Sequence, residues 1–154
     1  MNLLVNLLRK TKFLALLLAF LIAAPSFAYT TGSINYKDVM LNYSKAKAAQ
    51  NEIEDRANEL QRFLLDKEKE FKKLESPVQK KSFEEQTAKT FAQKQDAYQK
   101  FKIKKEKEID DAIVAAIKAV AIENKVDSVV DARVMFFGAV DLTDKVIKKL
   151  NTGN

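Results

Sequence analysis

The side chains that could carry out chemistry in this sequence are almost all carboxylates and amines. The 154 residues include no Cys and no His, so the chain has no imidazole base, no thiolate nucleophile and no ordinary structural zinc site. A carboxylate-only metal site and glycosidase-type hydrolysis by paired carboxylates stay formally open, but the Asp and Glu residues are scattered along stretches of helical character. The composition therefore indicates a protein that is not an enzyme and that binds no cofactor or metal.

Lysine is the charged residue whose distribution is most informative. Residues 66–107 hold 13 lysines and 8 acidic side chains, a net charge of +5, whereas residues 29–65 are neutral and residues 108–154 carry −2. Such a segment attracts acidic protein surfaces, anionic lipid headgroups or lipopolysaccharide. The alternative is a solvated helix face, for which lysine is the routine choice. Nucleic acid is not an expected partner, because the segment has no Arg for base recognition. The lysines that we expect to face a binding partner are Lys80, Lys81, Lys100, Lys102, Lys104, Lys105 and Lys107.

The first 28 residues have the pattern of a secretory signal peptide. Three basic residues precede an apolar run at 13–24, and Pro25 is followed by Ser26-Phe27-Ala28, with small residues at the first and third positions. The apolar run is shorter than the roughly 20 residues that span a bilayer, which disfavours the alternative, a retained membrane anchor. We predict cleavage after Ala28, which leaves an exported chain, residues 29–154, with a net charge of +3 rather than +6.

Two long helices are predicted to present these lysines. Residues 37–76 and 83–124 contain no Gly or Pro and are rich in strong helix formers. Their apolar residues recur in alternating steps of three and four, as in a coiled coil. Helix-start patterns at Ser76-Pro77 and at Ser82 predict an antiparallel hairpin, the arm, with its tip at residues 76–82. The alternative is one continuous helix kinked at Pro77.

One aromatic residue of the arm differs from the others. Most of the arm aromatics continue the apolar period and are expected in the seam between the two helices. Phe63 lies beside the seam residue Leu64 instead. We therefore expect Phe63 to make an inward-facing apolar contact with a binding partner.

The two ends of the mature chain are predicted to form a small body. Residues 30–36 have the alternation of a short strand, and residues 126–132 and 134–138 are β-branched or aromatic runs, predicted as two strands that pair as a hairpin or run almost continuously. A short helix over residues 144–151 follows. The expected fold class is α+β, mostly α: a single domain over residues 29–154, in which a long antiparallel coiled-coil hairpin (37–124) projects from a β-stranded body (29–36 and 125–154).

The predicted body is too small to be stable by itself. Two or three short strands beside one short helix bury little apolar surface and leave strand edges open, and a chain without Cys has no disulfides to compensate. We therefore predict an obligate homo-oligomer whose strands form a common body, with the hairpins extending from it as arms; the alternative is a monomer with poorly ordered strands. The residues expected in the shared body are Ile34, Tyr36, Val129, Val130, Met135 and Phe136.

Several strings at both ends of the mature chain resemble the Skp/OmpH family of periplasmic chaperones. Gly32-Ser33-Ile34-Asn35 and residues 43–50 are similar to the family's opening segment, and Val129-Val130-Asp131-Ala132 and residues 142–150 are similar to its closing strand and last helix. The specificity comes from both ends occurring in this order around a cysteine-free hairpin behind a leader. The resemblance implies a homotrimer whose arms enclose a cavity, where unfolded outer-membrane proteins are held without ATP in the periplasm.

The residues themselves suggest how such a chaperone would hold its clients. Flexible basic arms would make weak, multivalent contacts with acidic clients, with dispersed apolar contacts inside the cavity. Binding the unfolded chain would then reduce aggregation by mass action. A lipopolysaccharide site proposed for the family cannot be matched residue by residue here. The alternative function is a structural coiled-coil adaptor that binds folded envelope partners or the membrane surface.

Overall fold

The computed structural model describes residues 29–153, and the predicted signal peptide (residues 1–28) lies outside this range. The described chain is mostly helical, with one small sheet, which confirms the predicted α+β fold class. The elements in chain order are β1 (Thr31–Ile34), α1 (Tyr36–Asn42), α2 (Ser44–Lys72), α3 (Pro77–Glu123), β2 (Ser128–Asp131), a 3₁₀ turn (Ala132–Val134), β3 (Val140–Asp141) and α4 (Thr143–Thr152).

The arm is the antiparallel pair of α2 and α3. Its tip is a tight turn over residues 73–76, so the predicted tip at 76–82 is corrected: most of that range belongs to the first turns of α3. Pro77 decides the boundary. It occupies the first position of α3, where its fixed φ suits the helix and its missing N–H costs nothing. The second start pattern, at Ser82, lies within a helix that has already begun.

The first predicted helix is interrupted at Tyr43, between α1 and α2. The Tyr43 backbone is extended, with φ −83° and ψ 116°. Asn151 of α4 bridges this break: its side-chain oxygen accepts hydrogen bonds from the Ser44 backbone N–H at 3.0 Å and the Ser44 hydroxyl at 2.9 Å, and its amide donates to the Asn42 carbonyl at 2.9 Å. Asn151 thus satisfies backbone groups that helix ends leave open, and it fixes the start of the arm to α4.

Replacing Asn151 by Ala is expected to lower the free energy of unfolding by about 1 kcal/mol, because the lost contacts are a helix cap and a partly solvated hydrogen bond. Urea denaturation followed by circular dichroism measures the change. The matched control is Lys148→Ala, which changes an exposed residue of the same helix and should alter stability by less than about 0.5 kcal/mol. Equal effects of the two substitutions would contradict the bridging role of Asn151.

The sheet has β1 at its centre and is parallel throughout, in the order β2-β1-β3. The prediction of a strand at residues 134–138 is therefore wrong. This strand does not form, and neither the hairpin with residues 126–132 nor the nearly continuous strand is present. The chain turns out of β2 because the Asp131 carboxylate accepts a hydrogen bond from the Arg133 backbone N–H at 2.9 Å and binds the Arg133 guanidinium at 2.8 Å. These hydrogen bonds lower the pKa of Asp131 to about 2. The third strand is β3, beyond Gly138, whose φ of +87° suits a residue without a side chain.

The hydrophobic core lies where the arm meets the sheet. It joins β1, α1, α4 and the near ends of α2 and α3, so the chain has a larger core than the predicted body of strands plus one short helix. A side chain at Gly32 would have its Cβ 2.8 Å from Leu142 Cδ1, which shows how closely β1 packs against the residue that precedes α4. The core residues are Ile34, Val39, Tyr43, Ala46, Ala49, Ile109, Ile113, Ala116, Val120, Val126, Leu142, Val146 and Leu150.

The distal arm contrasts with this base. Within the described stretch 54–108, no side chain is buried, so α2 and α3 are held together there by half-buried residues. Regions with so few buried apolar contacts open at a lower free-energy cost than a core does.

Candidate functional site

Aromatic rings and ammonium groups alternate along the distal arm. The rings of Phe71 on α2 and Phe83 on α3 pack across the hairpin, with centroids 6.2 Å apart. The Lys67 ammonium lies 5.5 Å from the Phe83 centroid and 5.9 Å from that of Phe63, and Lys94 approaches Phe63 to 5.4 Å. Cation–π contacts of this kind, with the aliphatic stems covering the rings, explain how lysine is tolerated at apolar positions.

Phe63 lies half-buried between these two lysines. The structure therefore places this predicted partner-facing ring within the packing of the arm, beneath two ammonium groups.

The seven predicted partner-facing lysines divide into two groups. Five of them form ion pairs within the chain, most with a residue one helical turn away on α3. Exposed pairs of this type are weak, but each one offsets the charge that a partner would meet. The pairs are Lys100–Asp96 (2.7 Å), Lys102–Glu106 (3.7 Å), Lys104–Glu108 (3.9 Å), Lys105–Glu52 (2.8 Å) and Lys107–Asp111 (2.9 Å).

The other two, Lys80 and Lys81, lie beside the tip. Neither has a carboxylate within ion-pair distance among residues 29–153, and the Lys80 ammonium lies 5.7 Å from the Phe71 centroid. Their charge is therefore not offset by an ion pair. Among the seven predicted lysines, only these two at the tip lack an ion-pair partner within residues 29–153.

Sequence reasoning missed Arg56. This residue of α2 precedes the basic segment 66–107, and its guanidinium carbon lies 3.8 Å from the ring centroid of Phe101 on α3. Arg56 also lines a small cleft of about 150 Å³ together with Lys94 and Tyr98. The contact depends on the register between two helices, for which no single stretch of sequence carries a signal.

Sequence reasoning also missed an open apolar groove close to the tip. The groove has a volume of about 370 Å³ and lies between α2 and α3. The Phe71–Phe83 pair lies in it, and Leu64, which is 42% exposed, lies at its edge. Because both helices contribute, the sequence period shows only that these residues share a seam. Its lining comprises Leu64, Lys67, Glu68, Phe71, Phe83, Glu84, Thr87, Ala88 and Phe91.

Two of the predicted body residues serve the chain's own fold. Ile34 is buried in the core. Tyr36 donates a hydrogen bond to Asp110 of α3, and burial together with this bond raises the pKa of Tyr36 to about 12. This bond ties the first turn of α1 to the base of the arm.

The other predicted body residues lie on or beyond β2. Val129, Val130 and Met135 are half-buried, whereas Phe136 is 99% exposed and the neighbouring Phe137 is 89% exposed. Two adjacent, fully exposed phenylalanines form an apolar patch at the body, of the kind that marks an interaction surface. We call residues 132–139 the aromatic loop.

The outer membrane protein (OmpH-like) family matches residues 30–150. The chain belongs to this family. The match begins just before β1 and ends within α4, so it covers the sheet, the whole arm and the core between them. Members of the OmpH-like family are periplasmic chaperones of outer-membrane proteins rather than enzymes. A search of curated proteins gives no match to this OmpH-like chain.

None of the helices that the structure describes in this OmpH-like chain has the length and apolar character needed to cross a membrane.

Proposed function

We propose that this protein is a periplasmic holdase, which keeps unfolded outer-membrane proteins soluble in a cavity between the arms of a homotrimer until they are assembled into the membrane. The observation that carries the proposal is the architecture of the arm. It projects from a packed base, has no buried side chain over residues 54–108, and presents half-buried rings beside ammonium groups. Such a surface offers many weak contacts and no single rigid pocket, which suits clients without fixed structure.

The aromatic loop supports assembly through the body. Phe136 and Phe137 are 99% and 89% exposed, and within residues 29–153 the outer edges of β2 and β3 pair with no further strand. Because each chain already has its own core, we assign to assembly the role of covering this loop and positioning three arms. The argument for the oligomer is thus the exposed surface of the body, and no longer its small size.

The N-terminal pattern supports export. Residues 1–28 have the charged start, apolar run and small-residue end of a signal peptide, with cleavage proposed after Ala28. In the periplasm the arms would bind extended clients through lysine–carboxylate and apolar contacts. No ATP is required, because binding to the unfolded chain alone lowers its free concentration and slows aggregation.

The proposal is tested by dilution of a urea-denatured outer-membrane protein into buffer, with light scattering as the measure of aggregation. The mature protein, residues 29–154, is expected to suppress scattering when present in molar excess as a trimer. Unchanged scattering would contradict the holdase function. Unchanged scattering together with binding to vesicles or to folded envelope proteins would support the adaptor function instead.

Reversing the two tip lysines (Lys80→Glu with Lys81→Glu) is expected to weaken client binding about tenfold at low salt, since two lost charge contacts of 0.5–1 kcal/mol each amount to about that factor. The salt dependence of the remaining affinity should also be flatter. Fluorescence anisotropy of a labelled unfolded client at several salt concentrations measures both quantities.

The control for the tip variant is Lys118→Glu with Lys148→Glu. It makes the same change in net charge at exposed positions of α3 and α4 near the core, away from the tip. Its client affinity should stay within a factor of two or so of the wild type. Equal weakening by the two variants would show that net charge, rather than the tip, governs binding.

A further inference from the structure

We propose that the apolar groove between α2 and α3 is a binding site for one large apolar side chain, preferably aromatic, of an unfolded client segment that carries a carboxylate close by. This inference rests on the proposed holdase function and adds to it a defined position on the arm. It divides client binding into one anchored side chain and many weaker contacts.

The shape of the groove suits such a side chain. Its volume of about 370 Å³ exceeds that of cavities of about 150 Å³ that bind benzene in a protein interior. Two of its walls are the tilted rings of Phe71 and Phe83, with centroids 6.2 Å apart, and Phe91 and Leu64 extend the apolar surface. An aromatic side chain from a client can pack against these rings in offset or edge-to-face geometry.

The groove is open rather than buried. Leu64 is 42% exposed, and Thr87 and Ala88 of α3 line the groove without closing it. A segment of extended chain can therefore lie across the arm and place a single side chain between the helices. Burial of that side chain removes apolar surface from water on both partners.

The charges around the groove determine what flanks the apolar side chain. The Lys80 ammonium lies 5.7 Å from the Phe71 centroid and has no ion-pair partner among the described residues, whereas Lys67, 5.5 Å from the Phe83 centroid, is paired with Glu70. Of the two acidic residues of the lining, Glu68 is bound by Lys72 at 2.6 Å. Lys80 is thus the available cation, and it is complementary to a client carboxylate.

Glu84 is the other acidic residue of the lining. It carries no ion pair in the described chain and would oppose a client carboxylate. Glu84→Gln should therefore tighten the binding of an acid-flanked side chain, whereas the other substitutions weaken binding. The reason is that a like charge is removed while the groove keeps its shape.

The test uses a labelled, short Gly-Ser peptide that carries one Phe between two Asp residues, with binding to the mature wild-type protein measured by fluorescence anisotropy. Replacing the Phe of the peptide by Ala is expected to weaken binding about tenfold, the factor that corresponds to partial burial of one Phe side chain. Replacing its two Asp residues by Lys should also weaken binding. Absence of any wild-type binding to the Phe peptide would overturn the inference, even if client aggregation were suppressed.

The groove is located with Ala88→Trp, which fills it, and with Ala92→Trp as the matched control. Ala92 is exposed on the same helix one turn further on and does not line the groove. The chain has no other Trp, so a blue-shifted emission of Ala88→Trp relative to Ala92→Trp checks that the indole at position 88 is shielded from water. Ala88→Trp should weaken binding of the Phe peptide about tenfold, and Ala92→Trp should leave it unchanged.

The outcomes separate the inference from the proposed function. Suppression of aggregation by the wild type, with equal peptide affinity in Ala88→Trp and Ala92→Trp, would overturn the groove and leave the holdase intact. Failure of the wild type to suppress aggregation would overturn the holdase. A photo-crosslinking Phe analogue in the peptide gives a second readout, with attachment expected at residues that line the groove and not at the aromatic loop or the base of the arm.

Discussion

Ile113→Ala is expected to lower the free energy of unfolding by about 2–5 kcal/mol, the range for deletion of a large aliphatic side chain from a packed core. Ile113 is 0% exposed and belongs to the cluster that joins α3 to α1, α4 and the sheet. The substitution removes the transfer free energy of the lost methyl groups and leaves a cavity that its neighbours cannot fill completely. Because the cluster joins β1, all four helices and the near end of the arm, these parts should unfold together.

Urea denaturation followed by circular dichroism measures this effect, at equal protein concentration because assembly would make stability concentration-dependent. The matched control is Ile103→Ala, on the same helix but 63% exposed. It should change stability by less than about 0.5 kcal/mol. A loss for Ile113→Ala as small as that of the control would show that the base of α3 is not part of the folding core.

The arm was predictable because its signals are local. Apolar residues at steps of three and four, with no Gly or Pro, specify two helices that must pair. The position of the tip was less certain, since Ser76 and Ser82 both carry start patterns and only Pro77 fixes which one is used. The break at Tyr43 could not be predicted, because Asn151, which bridges it, is far away in the sequence.

The sheet was not predictable for a different physical reason. Residues 134–138 are apolar enough for a strand, yet the Asp131–Arg133 contact turns the chain before them. β3 has only two residues, Val140 and Asp141, too few to show an alternation. Both β2 and β3 pair in parallel with β1, from which they are separated in the sequence by the whole arm. Local patterns in the sequence do not record pairing over such a separation.

The lysines of the candidate site likewise include contacts that local sequence predicts and contacts that it does not. The partners of Lys100, Lys102, Lys104 and Lys107 lie four residues away on α3, so these ion pairs follow from helical spacing alone. Lys105–Glu52 instead joins two helices, as does Arg56 with Phe101. Contacts of the second type require the register of the hairpin, and so does the apolar groove.

Phe136→Asp is expected to convert the proposed homotrimer into monomers that remain folded but no longer prevent aggregation. Phe136 is 99% exposed in the single chain, so its replacement removes no contact from the core. If the aromatic loop is covered by a neighbouring copy, truncation of such a central aromatic residue costs about 2 kcal/mol or more per interface, and an unpaired buried carboxylate adds to that loss. Arms on separate monomers cannot enclose a client.

Sedimentation equilibrium at micromolar concentration gives the mass, and circular dichroism shows whether the monomer keeps its helices. Val78→Asp is the control, because Val78 is 78% exposed at the arm tip and far from the sheet; this variant should stay trimeric. A trimeric Phe136→Asp variant would place the interface elsewhere on the body. A monomeric wild type would remove the shared body itself, and with it the cavity on which the holdase function depends, since one arm alone presents too few contacts for multivalent binding.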